Sequence, residues 1–222
     1  MLNLQSKFGQ KLTVIGNWIA ALVTINLVWF LINLPVLVML ILAFSLPMNQ
    51  TYALTMSLVT VMLVAFTVPA TTAAYQAVKT WQTTDSGSFL RATGLAYLKA
   101  LMHWQPNVLI AVLASGWMIL LRVTTTNVML HVVTLVVGVV LLTLWNGWNY
   151  SQFESTSVIE LVVAHPFKLL LSAVATIGLF AINFELRLIF CILLFSMSLA
   201  ALATYRIFNP RIKATDDNQA TN

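Results

Sequence analysis

The residues of this chain that could do chemistry are amides, hydroxyls and indoles rather than acids and bases. Asn26 and Asn33 flank Trp29 at helical spacing, with Pro35 close behind, and Asn146 and Asn149 stand about one turn apart further on. Thr71, Thr72 and Tyr75 form a second polar set inside "VPATTAAYQAVKTW" at 68–81. Such groups can bond one another between helices, at roughly 0.6 kcal/mol per pair in a membrane. They can also recognise a sugar hydroxyl or a partner helix. Small hydroxylated residues let helices approach closely, so Thr71 and Thr72 read either as packing or as the polar mouth of a solute path. Arg91 and Lys99 add two cationic side chains available to a partner or a solute.

Other chemistries lack their residues. Cys191 is alone, which excludes a disulfide framework and a cysteine metal cluster. His103, His131 and His165 show no metal-ligand spacing, and Asp85, Glu154 and Glu160 form no acid–base pair. Glu185 and Arg187 read as a charge pair in a tight turn. No glycine loop could cradle a phosphate, and no nucleophile, base and orienting group assemble. The expectation is a protein that is not an enzyme, with no cofactor, no metal and no catalytic residue.

The elements that must position these groups follow from composition. Hydrophobic residues make up 60% of the 222 and charged residues 8%, against roughly 25% charged in a soluble domain. The outer surface must therefore face lipid. No Asp, Glu, Lys or Arg occurs from Leu12 to Val78. With about 20 apolar residues needed per crossing, six spans are predicted, at about 15–44, 53–78, 106–121, 128–149, 167–184 and 187–206. The first is long enough to tilt or to bend at Pro35. Its start resembles a signal peptide, but the apolar run is about twice the 7–15 residues of such a segment, so it reads as an uncleaved helix.

Six spans gather Lys7, Lys11, Lys79, Arg91, Lys99, Lys168, Arg206, Arg211 and Lys213 on one side, with only Arg122 and Arg187 opposite. The basic side is then cytoplasmic, with both termini on it. That count accounts for the net charge of +5 without a nucleic-acid partner, since no basic patch is interleaved with aromatics. Tyr75 and Trp81 are expected in the aromatic belt at that boundary. No charge falls mid-span, which argues against a proton-coupled pump.

"SFLRATGLAYLKALMHWQP" (about 88–104 and onward) reads as an interfacial helix, with Arg91, Lys99 and His103 near one face. "STSVIELVVAHPF" at 155–167 is a shorter counterpart. The order His103–Pro106–Gly116–Arg122 is echoed by His165–Pro166–Gly178–Arg187, a possible parallel repeat. The predicted fold is an all-α integral membrane bundle of about six transmembrane helices with short cytoplasmic interfacial helices. Residues 1–210 form one membrane domain and 211–222 a cytoplasmic tail.

Three segments carry a family resemblance. "NLVWFLINLPVLV" (Asn26 to Val38) and "PATTAAYQAV" (Pro69 to Val78) resemble the first two signatures of the YesL-like bacterial membrane proteins, and "FLRATGLAYLK" resembles the third. In the third, Arg91 and Tyr97 fit, while Ala100 and Leu101 replace an Asn–aromatic pair. The resemblance covers about residues 15 to 105 and implies a multi-pass protein of the bacterial cytoplasmic membrane associated with carbohydrate uptake and utilisation. An accessory subunit meeting the lipid bilayer and sugar ABC transporter subunits or a membrane sensor is the expectation. The alternative is a transport component or permease for a small neutral solute such as a sugar. The Glu-Ala-Ala that precedes the glycine of an ABC permease coupling loop is absent before Gly94.

Overall fold

The computed structural model describes residues 7–83, 89–154, 157–185 and 192–209, and every regular element among them is helical. The chain runs through α1 (Lys7–Ser45), α2 (Gln50–Met62), α3 (Val68–Thr83), α4 (Phe89–Leu101), α5 (Trp104–Val123), α6 (Val128–Glu154), α7 (Val158–Ala164), α8 (Pro166–Glu185) and α9 (Met197–Phe208). Polar caps start three of them. Asn49 accepts from Tyr52 N, Asn127 from Leu130 N and Ser157 from Glu160 N, each taking a donor that the first turn cannot satisfy internally.

Among the described residues five segments are long and apolar enough to cross a membrane: Leu12–Ser45, Gln50–Thr83, Trp104–Thr126, Val128–Gln152 and Pro166–Asn183. A shorter apolar helix, Leu194–Phe208, carries the described part of the sixth predicted span. The start of that span, with Cys191 and Arg187, lies outside the described residues, as do the first six residues and the tail. The α1 helix is continuous for 39 residues with Pro35 inside it. That is about 58 Å, nearly twice a bilayer core, so part of it stands outside the core or lies tilted within it.

Among the described residues two π-helical turns occur, at Leu63–Thr67 between α2 and α3 and at Ile192–Ser196 before α9. The cause of the first is legible. Pro69 has no N–H to return to the carbonyl of Ala65 four residues back, and the ladder slips so that Val68 N–H bonds Leu63 O. The Tyr97 hydroxyl of α4 supplies the missing donor, reaching Ala65 O at 2.9 Å. Burial pushes the Tyr97 phenol above the ordinary tyrosine value, which keeps the proton in place for that bond.

The α3 helix is the hub. It packs against α1, α4, α6 and α9, and Ala70, Ala73, Ala74 and Ala77 are all buried on it. Ser198, Ala200 and Ala201 give α9 a matching small surface. Small side chains allow the backbones to close up where lipid offers no hydrophobic drive. A second close approach joins α5 and α6. There the Trp117 indole donates to Thr134 O at 2.8 Å, and a Cβ at Gly138 would run into that ring.

Arg122, one of the two exceptions to the charge bias and the one among the described residues, is a cap. Its guanidinium donates to the carbonyls of Ala43 (3.0 Å) and Leu46 and lies 4.7 Å over the Tyr52 ring. Cation and helix C-terminus attract through the macrodipole as well.

The expected interfacial helix differs in two ways from its predicted form. It ends at Leu101, and Trp104 already begins α5. It also lies on protein, with Thr93 and Ala100 buried and Tyr97 turned inward, while Arg91, Leu95, Leu98 and Lys99 face out. Asn107 Nδ2 caps its end through Ala100 O at 3.0 Å. The second such helix, α7, is shorter than predicted and exposes Ile159, Glu160 and Val163. Both lead through a histidine, His103 or His165, into a helix with proline near its start.

Candidate functional site

The polar residues of the spans converge around α3. Trp29 Nε1 donates to Thr71 Oγ1 at 3.1 Å, tying α1 to α3. Asn33 Nδ2 donates to the Trp29 carbonyl at 2.8 Å, one turn back on its own helix. On the other side of α3, the Thr72 hydroxyl donates to Asn149 Oδ1 at 2.8 Å, and Asn149 Nδ2 returns to Trp145 O at 3.0 Å.

One turn further on, Tyr75 donates to Asn146 Oδ1 at 2.9 Å. Asn146 Nδ2 spans to Thr176 Oγ1 (3.2 Å) and Ser172 Oγ (3.4 Å) on α8. Thr204 Oγ1 of α9 lies 3.4 Å from the same phenol oxygen. A single buried network thus joins α3, α6, α8 and α9. In lipid, where no water competes, such bonds fix which helix faces which.

Asn26 does something different. Its side-chain oxygen accepts from Met197 N at 2.8 Å and Ser198 N at 3.1 Å. These donors sit where the second π turn hands over to α9, and there the ladder is out of register with the carbonyls behind it. The first π turn is repaired by a donor from α4 and the second by an acceptor from α1. Beside it, Asn183 Nδ2 donates to Ser196 Oγ at 2.7 Å.

The structure therefore brings Asn26, Trp29, Asn33, Thr71, Thr72 and Tyr75 into the bundle, and separates Pro35, Arg91 and Lys99 from them. Pro35 is exposed on the outer surface of α1 and joins no polar contact with the others. It therefore stands apart from the buried polar contacts of the other residues, on a surface open to lipid or a partner. Arg91 and Lys99 are exposed on α4. Tyr75 and Trp81 also depart from the expected aromatic belt. Tyr75 is 2% exposed, and Trp81 packs edge-on against Trp18 at 4.8 Å, with Arg206 over Trp18 and bonded to Gln82. Pairing with Asn146 for Tyr75, and ring packing for Trp81, outweigh the interface.

Ser172, Thr176 and Thr204 went unmarked in the sequence, since isolated hydroxyls recur throughout the spans. Their signal is positional: Ser172 and Thr176 are one turn apart, on the face of α8 toward α6. The network offers a ligand no carboxylate or base. Among the described residues no group of three or more His, Cys, Asp or Glu could hold a metal. Among the described residues five buried side-chain atoms have no hydrogen-bond partner: Asn33 Oδ1, Thr67 Oγ1 and Trp145 Nε1 in the spans, with the Tyr52 hydroxyl and Arg206 Nε nearer their ends.

Trp29→Phe and Thr71→Val should each lower stability by about 1 kcal/mol, and the double variant by little more than either, because the two remove one bond. Unfolding titrations in mixed micelles measure this; strict additivity would show that the Trp29–Thr71 bond contributes nothing.

No family model, no curated protein and no solved structure matches this chain.

Proposed function

We propose that this chain is an accessory or interaction subunit of a carbohydrate uptake or utilisation system, seated in the bacterial cytoplasmic membrane with both termini cytoplasmic. The observation that carries the reading is α4. Its inner face is fixed by Thr93, Tyr97 and Ala100, while Arg91, Leu95, Leu98 and Lys99 are presented outward. A helix anchored on one side and mixed basic–apolar on the other supplies the anchors and rim of a protein interface without further ordering cost. The amides of Asn26, Asn146 and Asn149, by contrast, are taken up in holding the helices together. The excess of Lys and Arg on the α4 side supports the orientation. The resemblance of "NLVWFLINLPVLV" and "PATTAAYQAV" to YesL-like proteins supports the partner class, sugar ABC transporter subunits or a membrane sensor.

Crosslinking in the native membrane, purification of the tagged chain and mass spectrometry test it. Stoichiometric recovery of a sugar-transporter subunit or sensor kinase is expected, falling several-fold in Arg91→Glu/Lys99→Glu. Equal recovery in that variant removes α4 as the docking face, and recovery of the chain with itself alone removes the accessory role.

A second reading rests on three of the five unpartnered atoms. Asn33 Oδ1 can accept, Trp145 Nε1 can donate and the Thr67 hydroxyl can do either, the kinds of group that a small neutral hydroxylated solute could meet along a path through the spans. Reconstituted vesicles should then pass glycerol-sized solutes faster than protein-free ones; equal flux ends this reading.

A further inference from the structure

At the end of the bundle away from α4, a groove of about 440 Å³ opens between α2 and α5. Asn49, Tyr52, Ala53, Met56, Ser57 and Thr60 recur along it every three or four positions, one stripe of α2, with Ile119 of α5 opposite. From Asn49 to Thr60 the stripe is about 16 Å long at 1.5 Å per residue. It starts at the capped end of α2, where a helix leaves the bilayer core, and runs inward from there. Ala53 and Ser57 are small and exposed and leave the trough open, while Tyr52 and Met56 are buried beneath it. The hydroxyls of Ser57 and Thr60 are turned back onto the carbonyls of Ala53 and Met56, both at 2.9 Å, so below its mouth the wall is apolar in effect.

Two features mark the mouth. Tyr52 is 4% exposed, and its hydroxyl has no partner among the described residues. A buried donor in that state is costly in an apolar medium. The Arg122 guanidinium sits 4.7 Å over the same ring, and its bonds go to neutral carbonyls, which leave its positive charge at this end of the molecule.

The geometry points to a lipid site: one acyl chain of an anionic glycerophospholipid lies along α2, its ester carbonyl accepts from the Tyr52 hydroxyl, and its phosphate is drawn to Arg122. The dimensions favour this occupant. A volume of about 440 Å³ spread along about 16 Å is far below the roughly 1,300 Å³ that a helix about 10 Å in diameter fills over that length, and suits one hydrocarbon chain. Below Tyr52 the two hydroxyls of the lining spend their protons on their own helix, so that stretch offers a sugar no donor. This site is separate from the α4 face and stands whether or not α4 binds a partner.

Native mass spectrometry of the purified chain with added phosphatidylglycerol or phosphatidylcholine tests the site. One tightly held phosphatidylglycerol is expected, preferred over phosphatidylcholine. Ala53→Leu/Ser57→Leu fills the trough at two exposed positions and should weaken retention about tenfold, the loss expected for about two buried methylenes. Tyr52→Phe keeps the ring under Arg122 and should weaken it about fivefold, through one hydrogen bond. Equal retention of the two lipids overturns the proposal. So does unchanged phosphatidylglycerol binding in Tyr52→Phe, or in a filled variant that still melts as the parent does.

Discussion

Asn26→Leu is expected to be among the most damaging single substitutions in the bundle, at about 2–5 kcal/mol. Leucine fits the volume and suits the membrane, so a transfer scale would predict a gain. The loss comes from elsewhere. Asn26 is fully buried, and its oxygen takes two backbone donors, Met197 N–H and Ser198 N–H, at the junction of the π turn with α9. Each donor left without a partner in a buried site costs about 1–3 kcal/mol, and no water is at hand to replace the amide oxygen. Asn26→Gln, which keeps an acceptor on a longer arm, should recover part of the loss. Equilibrium unfolding in mixed micelles reads both. A leucine variant as stable as the parent would mean that α9 satisfies these donors within its own ladder.

Tyr97→Phe should cost about 1–3 kcal/mol through the loss of one hydroxyl, because Ala65 O is left without a donor. Its dependence on Pro69 makes the prediction specific. Pro69→Ala restores an N–H at the position that α-helical geometry would pair with Ala65 O, so in that background Tyr97→Phe should cost well under 1 kcal/mol. The double-mutant cycle isolates the coupling. If Tyr97→Phe costs the same with and without Pro69, the hydroxyl does not substitute for the absent proline donor.

The class of the fold was legible because a charge-free run from Leu12 to Val78 has one physical solution. Span limits followed from length, to within a few residues at most ends. What composition could not reach was direction around each helix. Spans apolar on all sides carry little moment, so Tyr75 and Trp81 were placed at an interface although they face inward, and Pro35 was grouped with Asn33 although the two point to different sides. The π turns explain part of this. Each adds a residue to one turn and rotates everything beyond it, and only Pro69 announces one of them in the sequence. Asn26 and Asn33 look alike on paper. One bonds the backbone of a helix at the far end of the chain, the other its own helix one turn away. Thr72–Asn149 and Tyr75–Asn146 join residues more than 70 positions apart, and nothing local to either partner names the other.

The Asn26 bond also has a place in time. Its partners follow it by 171 and 172 positions, so at about 5–20 residues per second roughly ten seconds or more separate their syntheses. Throughout that interval the first helix sits in the insertion machinery or the lipid with an amide whose final acceptor role is unfilled. The α9 helix thus closes upon α1 late in synthesis, and a nascent protein truncated before Met197 holds the Asn26 oxygen in the membrane without these two backbone donors.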